Sequence, residues 1–244
     1  MDKLFLRLST ATLSSLKQNL TDSMRGIKSS HRCEALGRGL GFRTYAAARH
    51  AAMTGLDGIV RPNGTRFVEY LDEKGIAARR KDFFDAVASA ALGDVVERNP
   101  LLSAYGIGVG HPRRKPDGRY ESAEEQYEKF QEGRRELASS RSVPGFLAST
   151  ALLSRINETK TIREGTGSYW LKHIAENYEC SYPDNEKLGP TYIPNGVFIA
   201  AAINSGFRIK TYIDEDGSYN LNVSFNMSVK CLRELDQEIR GRTR

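Results

Sequence analysis

The chain has 244 residues, of which 39% are hydrophobic and 27% charged. This balance predicts a globular protein with a packed core and excludes wholesale disorder. No apolar run reaches the roughly 18 to 20 residues of a membrane helix. The first twenty residues alternate apolar and polar side chains, so we expect no signal peptide. Three scattered cysteines indicate a reducing, cytoplasmic location and no disulfide framework.

The formal net charge of +6 is unevenly distributed along the chain. Residues 1–64 contain 10 Lys and Arg against 4 Asp and Glu, a difference of +6, whereas residues 65–244 contain 26 of each. All of the excess positive charge therefore lies in the N-terminal quarter. A basic field of this kind attracts nucleic acid or an acidic protein surface. A solvated basic face without a partner is the alternative.

Short helices are predicted for the N-terminal quarter, from apolar residues three and four apart and from capping residues. They cover residues 13–28, 31–38 and 45–53, and Thr44 is the expected N-cap of the third. Dense Gly, Pro and Asn follow residue 55 and predict a linker. We therefore expect two domains, a basic helical module over residues 1–62 and a larger one over residues 65–244.

The larger domain is predicted to mix helices and strands. Residues 65–71 alternate well enough for one strand, and glycines and prolines predict a flexible loop near residues 103–120. Helices are predicted over residues 77–97, 122–139, 144–156, 168–178, 196–205 and 227–240, and a hairpin over residues 207–213 and 218–225. The fold class is therefore α+β and mainly helical. A basic, helix-turn-helix-like module is followed by an α/β body that ends helix, β-hairpin, helix.

Residues 31–53 carry the strongest local pattern. Ala35 and Gly39 have the spacing of a helix-turn-helix, in which the small residue lets two helices approach and the glycine permits a left-handed turn. Side chains around this pattern are candidates for contacts with phosphates or base edges: Lys28, Arg32, Arg38, Arg43, Tyr45, Arg49 and His50. The alternative is an ordinary helical hairpin packed on the second domain, because the alanine-rich second helix offers few long side chains.

Two further groups are candidates for binding a partner. Arg113, Arg114 and Lys115 follow a glycine-rich stretch that matches no phosphate-loop fingerprint, so we expect an exposed loop that orders against RNA or an acidic partner. Tyr169 and Trp170 are partner hot spots if they are exposed and core anchors if they are buried. The C-terminal helices and hairpin loosely resemble a winged helix, but the balanced charge there removes the usual basis for DNA binding.

No catalytic, metal or cofactor motif is present in the sequence. It contains no Gly-x-Ser-x-Gly elbow, and its cysteines lack metal-ligand spacing. His173 and Glu176 lie one helical turn apart but have no evident third ligand. We therefore expect a protein that is not an enzyme and that uses no cofactor or metal. An active site assembled only by the fold is the alternative.

Two stretches carry a family resemblance. One is Glu34-Ala-Leu-Gly-Arg-Gly-Leu-Gly-Phe-Arg-Thr-Tyr-Ala-Ala47. The other, residues 146–208, contains Lys160-Thr-Ile-Arg163, Gly167-Ser-Tyr-Trp-Leu-Lys-His173 and Tyr192-Ile-Pro-Asn-Gly-Val-Phe-Ile-Ala-Ala-Ala202. They resemble proteins of bacterial plasmids and integrative conjugative elements, and the first also resembles a helical module attached to glyoxalase-related proteins. Similar proteins commonly have glycine where this chain has Trp170.

The resemblance implies a mobile-element context, in which accessory proteins serve transfer, regulation or the defeat of host immunity. It therefore implies a protein that binds a host protein or ribonucleoprotein complex, such as an anti-CRISPR protein that inhibits a CRISPR–Cas effector. The balanced composition argues against a DNA mimic, so such an inhibitor binds protein subunits or competes for RNA. A DNA-binding regulator that uses residues 31–53 is the runner-up, and an enzyme is the third hypothesis.

Overall fold

The computed structural model describes residues 2–55 and 58–241. These residues form ten α-helices and three two-stranded antiparallel sheets, which confirms the mainly helical α+β class. The helices are α1 (Thr10–Ser23), α2 (Ser29–Gly39), α3 (Tyr45–Thr54), α4 (Gly64–Asp72), α5 (Arg80–Arg98), α6 (Ala123–Leu137), α7 (Val143–Leu153), α8 (Ser168–Glu176), α9 (Asn195–Asn204) and α10 (Val229–Arg240). The strands pair as β1 (Leu6–Arg7) with β2 (Ile59–Val60), β3 (Leu102–Ser103) with β4 (Gly106–Ile107), and β5 (Ile209–Ile213) with β6 (Tyr219–Phe225).

Local sequence signals fix where several helices begin. The side chain of Thr44 accepts a hydrogen bond of 3.1 Å from the backbone N–H of Ala47, as expected of the N-cap of α3. Ser122 and Glu125 form a capping box at the start of α6. Pro144 lies in the first turn of α7, where its missing N–H leaves no intrahelical bond unmade.

The segment predicted as a strand over residues 65–71 is the helix α4, so that prediction is wrong. Asn63 caps this helix by accepting a hydrogen bond of 3.1 Å from the backbone N–H of Arg66. Phe67 and Leu71, four residues apart, are both fully buried, and residues with that spacing share one helical face. The apolar window is too short for its alternation to be distinguished from a helical period.

Helix α5 is central to the apolar core. Ten of its 19 residues are buried, because α1, α4, α7 and α9 all pack against it. Helices α7 and α9 are buried along nearly their whole length, as expected for helices that are apolar on all faces. Among the described residues, no helix has the length and apolar character needed to cross a membrane.

The N-terminal segment contacts residues far along the chain. The backbone of Phe5 exchanges hydrogen bonds of 3.1 and 2.8 Å with the side chain of Asn204 in α9. The ammonium of Lys3 donates to the carbonyl oxygen of Ile156 at 2.8 Å. One cluster of buried apolar side chains joins the N-terminal helices to α5, α7 and α9. Independent folding of the two predicted domains stays a prediction.

The stretch predicted as an irregular loop from residue 103 begins with the β3–β4 hairpin, most of which is buried. A Cβ atom at Gly106 would lie 1.9 Å from the carbonyl oxygen of Leu221 in β6. A Cβ atom at Gly196 in α9 would lie 1.7 Å from the carbonyl oxygen of Ser103. These glycines therefore allow the hairpin to pack tightly between β6 and the first turn of α9. Residues 116–120, in contrast, are exposed.

Candidate functional site

A cleft of about 510 Å³ lies where two motifs of the resemblance meet, residues 167–173 and 192–202. Helix α8, the segment before α9, the β3–β4 hairpin and the loop that follows it all contribute to its walls. Its lining includes Tyr105, Arg113, Tyr169, Lys172, His173, Glu176, Tyr192 and Asn195. We name it the tyrosine cleft after Tyr105, Tyr169 and Tyr192.

Helix α8 places its polar residues in the cleft because of their spacing. Tyr169, His173 and Glu176 recur every three to four residues, so they follow one side of the helix. Leu171 and Ile174 are buried against the core. Because apolar and polar residues recur at the helical period, one side of α8 packs against the core and the other forms a wall of the cleft.

Lys172 is the most enclosed cation of the cleft, since only 5% of the residue is exposed. Its Nζ atom lies 2.9 Å from Oε1 of Glu176 and 3.3 Å from the carbonyl oxygen of Ile193. The same atom lies over two rings, 5.3 Å from the centroid of Tyr169 and 5.2 Å from that of Tyr192. These distances allow cation–π attraction, which together with the ion pair offsets the cost of burying the charge.

Glu176 connects the floor of the cleft to the segment before α9. Its Oε1 atom accepts a hydrogen bond of 3.2 Å from the backbone N–H of Ile193, and its Oε2 atom lies 2.5 Å from Nδ1 of His173. Burial opposes the charge of this carboxylate, but the hydrogen bonds from Lys172, His173 and Ile193 outweigh burial and lower its pKa. Glu176 is therefore ionised at neutral pH.

Asn195, the first residue of α9, is buried and has an unused hydrogen-bond acceptor. Its amide nitrogen faces three oxygen atoms, the carbonyl oxygens of Tyr105 and Leu221 and Oδ1 of Asn222, at 3.1 to 3.2 Å. These contacts fix the orientation of the carboxamide. Its Oδ1 atom has no hydrogen-bond partner among the described residues, although such a buried group costs about 1–3 kcal/mol.

The rim of the cleft consists of exposed aromatic rings. Tyr105, Tyr169 and Tyr192 are 43%, 56% and 75% exposed, and they come from the β3–β4 turn, from α8 and from the segment before α9. Tyr169 also meets the ring of His173 edge-on, with a centroid distance of 4.8 Å. Exposed tyrosines that converge on one cavity are typical of binding surfaces.

Of the residues predicted from sequence, the structure brings Arg113 and Tyr169 together in this cleft. Trp170 is half-buried against the core instead, and its indole N–H donates to Asp236 in α10 at 3.1 Å. Arg114 donates to the carbonyl oxygen of Gly118 at 3.3 Å, and Lys115 pairs with Glu125 at 2.5 Å.

Sequence reasoning missed Tyr105, Lys172, Tyr192 and Asn195, which line the cleft. Three of them lie in the quoted motifs of the resemblance, which was the one available signal. For Tyr105 no signal existed, because only the packing of the β3–β4 hairpin brings it to the rim.

The candidates in residues 28–50 separate into exposed and structural side chains. Arg32 donates to the backbone carbonyls of Met24, at 3.0 Å, and of Ile27, so it satisfies carbonyl groups just after the end of α1. Tyr45 is half-buried against the core, and burial raises the pKa of its hydroxyl. The exposed candidates are Lys28, Arg38, Arg43, Arg49 and His50.

The turn between α2 and α3 uses its glycines differently from the prediction. The close approach of the helices occurs at Gly37, where a Cβ atom would lie 2.6 Å from the backbone nitrogen of Tyr45. The left-handed residue is Gly41, with φ of 93°, and not Gly39. Gly39 instead faces the ring of Phe83, since a Cβ atom there would lie 2.7 Å from it.

A second cavity, of about 250 Å³, lies between the α2–α3 turn and α4. Arg38, Arg43 and Arg66 line it together with Tyr70, and we name it the arginine notch. Glu69 and Glu73 also line it, so its charge is partly balanced. Within the part of the chain that the structure describes, no three potential metal ligands lie together.

No protein-family model matches the chain, and neither the curated proteins nor the solved structures provide a match. The resemblance to mobile-element proteins therefore stays a prediction. Function has to be inferred from the geometry of the tyrosine cleft and of the arginine notch.

Proposed function

We propose that this protein is a non-enzymatic binding protein that attaches to a macromolecular partner through the tyrosine cleft. The observation that carries the proposal is the convergence of three exposed tyrosines from separate elements around one cavity. A few residues, most often Trp, Tyr and Arg, dominate the binding energy of protein interfaces. A cleft with a satisfied ion pair at its floor and open rings at its rim fits that pattern.

A large partner suits the cleft better than a small molecule does. Sites for small molecules usually bury about 70–90% or more of the surface of the ligand. Here the rim rings of Tyr169 and Tyr192 are more than half exposed. A protruding group of a larger partner covers such rings, whereas a small ligand on the floor would leave them in water.

The resemblance to plasmid and integrative-element proteins supports a partner in the cytoplasm of the bacterial host. A host protein or a defence ribonucleoprotein such as a CRISPR–Cas complex is the partner that we propose. Contacts with its protein subunits, or competition for its RNA, would then provide inhibition. The balanced charge of residues 65–244 supports a mixed interface and not a mimic of DNA.

The Lys172–Glu176 pair also bears on the enzyme alternative, which requires buried ionisable groups in a cleft. A general base must reach a proton of the substrate. Both carboxylate oxygens of Glu176 already accept hydrogen bonds from the protein. Catalysis would require these bonds to break, so we favour binding over turnover.

Affinity capture from lysates of the bacterial host, with and without nuclease, tests the proposal. The wild type and the variants Tyr169→Ala and Tyr192→Ala are compared with Tyr127→Ala, a matched control on α6 whose 57% exposed ring does not line the cleft. We expect a defined assembly that survives nuclease, is retained by the control and is lost from both cleft variants, because loss of a hot spot weakens binding about 30-fold or more. Equal capture by all four proteins, or capture of nothing, would count against the proposal.

A DNA-binding regulator is the second candidate function, and the arginine notch favours it. Arg38 and Arg43 line this notch, and Arg49 is exposed on α3. Binding dominated by phosphate contacts weakens steeply with salt, whereas a protein interface loses less. The triple variant with Arg38→Ala, Arg43→Ala and Arg49→Ala should then lose affinity for DNA. An unchanged affinity would exclude this function.

A further inference from the structure

We infer that the tyrosine cleft takes an unpaired nucleotide of a single-stranded nucleic acid. The inference deepens the proposed function and rests on it for the identity of the partner, since a ribonucleoprotein supplies such nucleotides. Three features of the cleft carry it: the direction of two tyrosine faces, the hydrogen-bonding groups on the floor, and the cation at the edge.

The first feature is the direction of the rings. Nζ of Lys172 lies over both Tyr169 and Tyr192, at 5.3 and 5.2 Å from their centroids, so both ring faces are turned toward one common point. The two tyrosines are 56% and 75% exposed, so the parts of their rings that Lys172 leaves uncovered are open to a stacking aromatic group. Proteins bind unpaired bases in this way, because every base has a π-face.

The second feature is the pair of hydrogen-bonding groups on the floor. An ammonium has three N–H donors, and among the described residues Lys172 uses two of them, toward Glu176 and the carbonyl oxygen of Ile193. The third N–H remains as a donor, and the buried Oδ1 atom of Asn195 is an acceptor without a partner. A base edge carries both an acceptor and a donor, so it offers a partner for the third N–H of Lys172 and one for Oδ1 of Asn195 once that buried atom is uncovered.

The third feature is the positive charge at the edge of the cleft. Arg113 is exposed and lines the cleft wall, where its guanidinium can contact the phosphate next to a bound base. One such contact suits a single nucleotide. The net charge of zero over residues 65–244 does not favour a long phosphate track, so a duplex is not the expected ligand.

Charged protein side chains fit the same cleft less well. An arginine would stack on the tyrosines but would be repelled by Lys172 on the floor. A carboxylate would attract Lys172 but would bring no donor for Oδ1 of Asn195. A neutral, flat group with both a donor and an acceptor avoids both conflicts.

Fluorescence anisotropy with fluorescein-labelled RNA of about ten nucleotides, within the usual site size of single-strand binders, tests the inference. Single-stranded DNA of the same sequence and the corresponding RNA duplex are the other two probes. We expect both single strands, or RNA alone, to bind and the duplex to bind more weakly. Preference for RNA would indicate contacts to the 2′-hydroxyl.

The variants locate that binding in the cleft. Tyr169→Ala and Tyr192→Ala should each weaken it by about 5- to 150-fold, as expected for the loss of one stacked base. Tyr169→Phe keeps the ring face and should stay within about twofold of the wild type. The control Tyr127→Ala should bind like the wild type, and circular dichroism verifies that every variant is folded.

Three results would each overturn the inference. Neither single strand binds, the duplex binds as tightly as the single strands, or Tyr127→Ala loses as much affinity as the cleft variants. Failure of the inference is distinguishable from failure of the proposed function. If a nuclease-resistant assembly is captured in a Tyr169-dependent way but no single strand binds, the nucleotide inference is wrong and the proposed function stands. If a single strand binds in the cleft but no assembly is captured, the nucleotide inference stands and the proposed partner is wrong.

Discussion

Gly196 has no side chain at the point where the carbonyl oxygen of Ser103 approaches α9, because a Cβ atom would lie 1.7 Å from that oxygen. The same contact brings the β3–β4 turn, and with it Tyr105, to the rim of the tyrosine cleft. The neighbouring Asn195 then reaches the carbonyl oxygen of Tyr105 at 3.1 Å. At the residue scale, the absence of a Cβ atom at Gly196 therefore sets the positions of Tyr105 at the rim and of Asn195 on the floor of the cleft.

Gly196→Ala should therefore destabilise the protein and disturb the cleft, since the carbonyl oxygen of Ser103 would have to move. Overpacking of this kind typically costs about 1–3 kcal/mol in the free energy of unfolding. The matched control is Gly93→Ala on α5, where a Cβ atom meets nothing within 4 Å. That change should stabilise the helix by roughly 0.5–1 kcal/mol.

Urea denaturation of both glycine variants measures these changes. Wild-type stability in Gly196→Ala would mean that the β3–β4 hairpin shifts without cost. In that case the hairpin would not be the element that fixes the cleft.

At the scale of elements, His111 ties the loop after β4 to the turn between β5 and β6. Its Nε2 atom lies 2.8 Å from Asp214 and its Nδ1 atom 3.2 Å from Asp216. The loop also carries Arg113 to the edge of the cleft. This clamp is therefore one of the contacts that hold Arg113 in position at the edge of the cleft.

The clamp should weaken as the pH rises. The hydrogen bond to Asp214, together with the charge of Asp216, raises the pKa of His111 above its ordinary value of 6.5. A raised pKa in the folded state means that the stabilisation is fully present below 6.5 and is lost as the pH rises through the raised value. An NMR titration of His111 should therefore give a midpoint above 6.5.

Asp214→Asn is the control for the histidine, because it removes the hydrogen-bonded carboxylate and should return the midpoint toward 6.5. A wild-type midpoint at or below 6.5 would contradict the clamp.

At the scale of the whole molecule, the basic N-terminal helices and the larger body share their apolar contacts. Helix α1 packs against α5, and α2 packs against α4. Buried residues of these helices, such as Leu16 and Leu36, belong to the same cluster as Phe83 and Phe198. Separation of the two parts would expose apolar surface on both.

We therefore expect one cooperative unfolding transition for the whole chain, although the sequence alone predicts two domains. Trp170 is the only tryptophan and reports on α8, whereas far-ultraviolet circular dichroism reports on all helices. The two signals should have the same midpoint in denaturant, as a single cooperative unit requires. A circular dichroism change that precedes the tryptophan change would instead show that the N-terminal module unfolds by itself.

What the sequence determined by itself is local: the uneven charge, the mainly helical class, the N-cap at Thr44 and the C-terminal hairpin. These features depend on neighbouring residues, so periodicity and capping chemistry suffice to predict them. The prediction of a strand at residues 65–71 was wrong, because the apolar window that forms α4 is too short to distinguish a strand period from a helical one. Only the tertiary structure decided the tyrosine cleft, because Tyr105, Tyr169 and Tyr192 are distant in sequence and meet only when α8, α9 and the β3–β4 hairpin pack together.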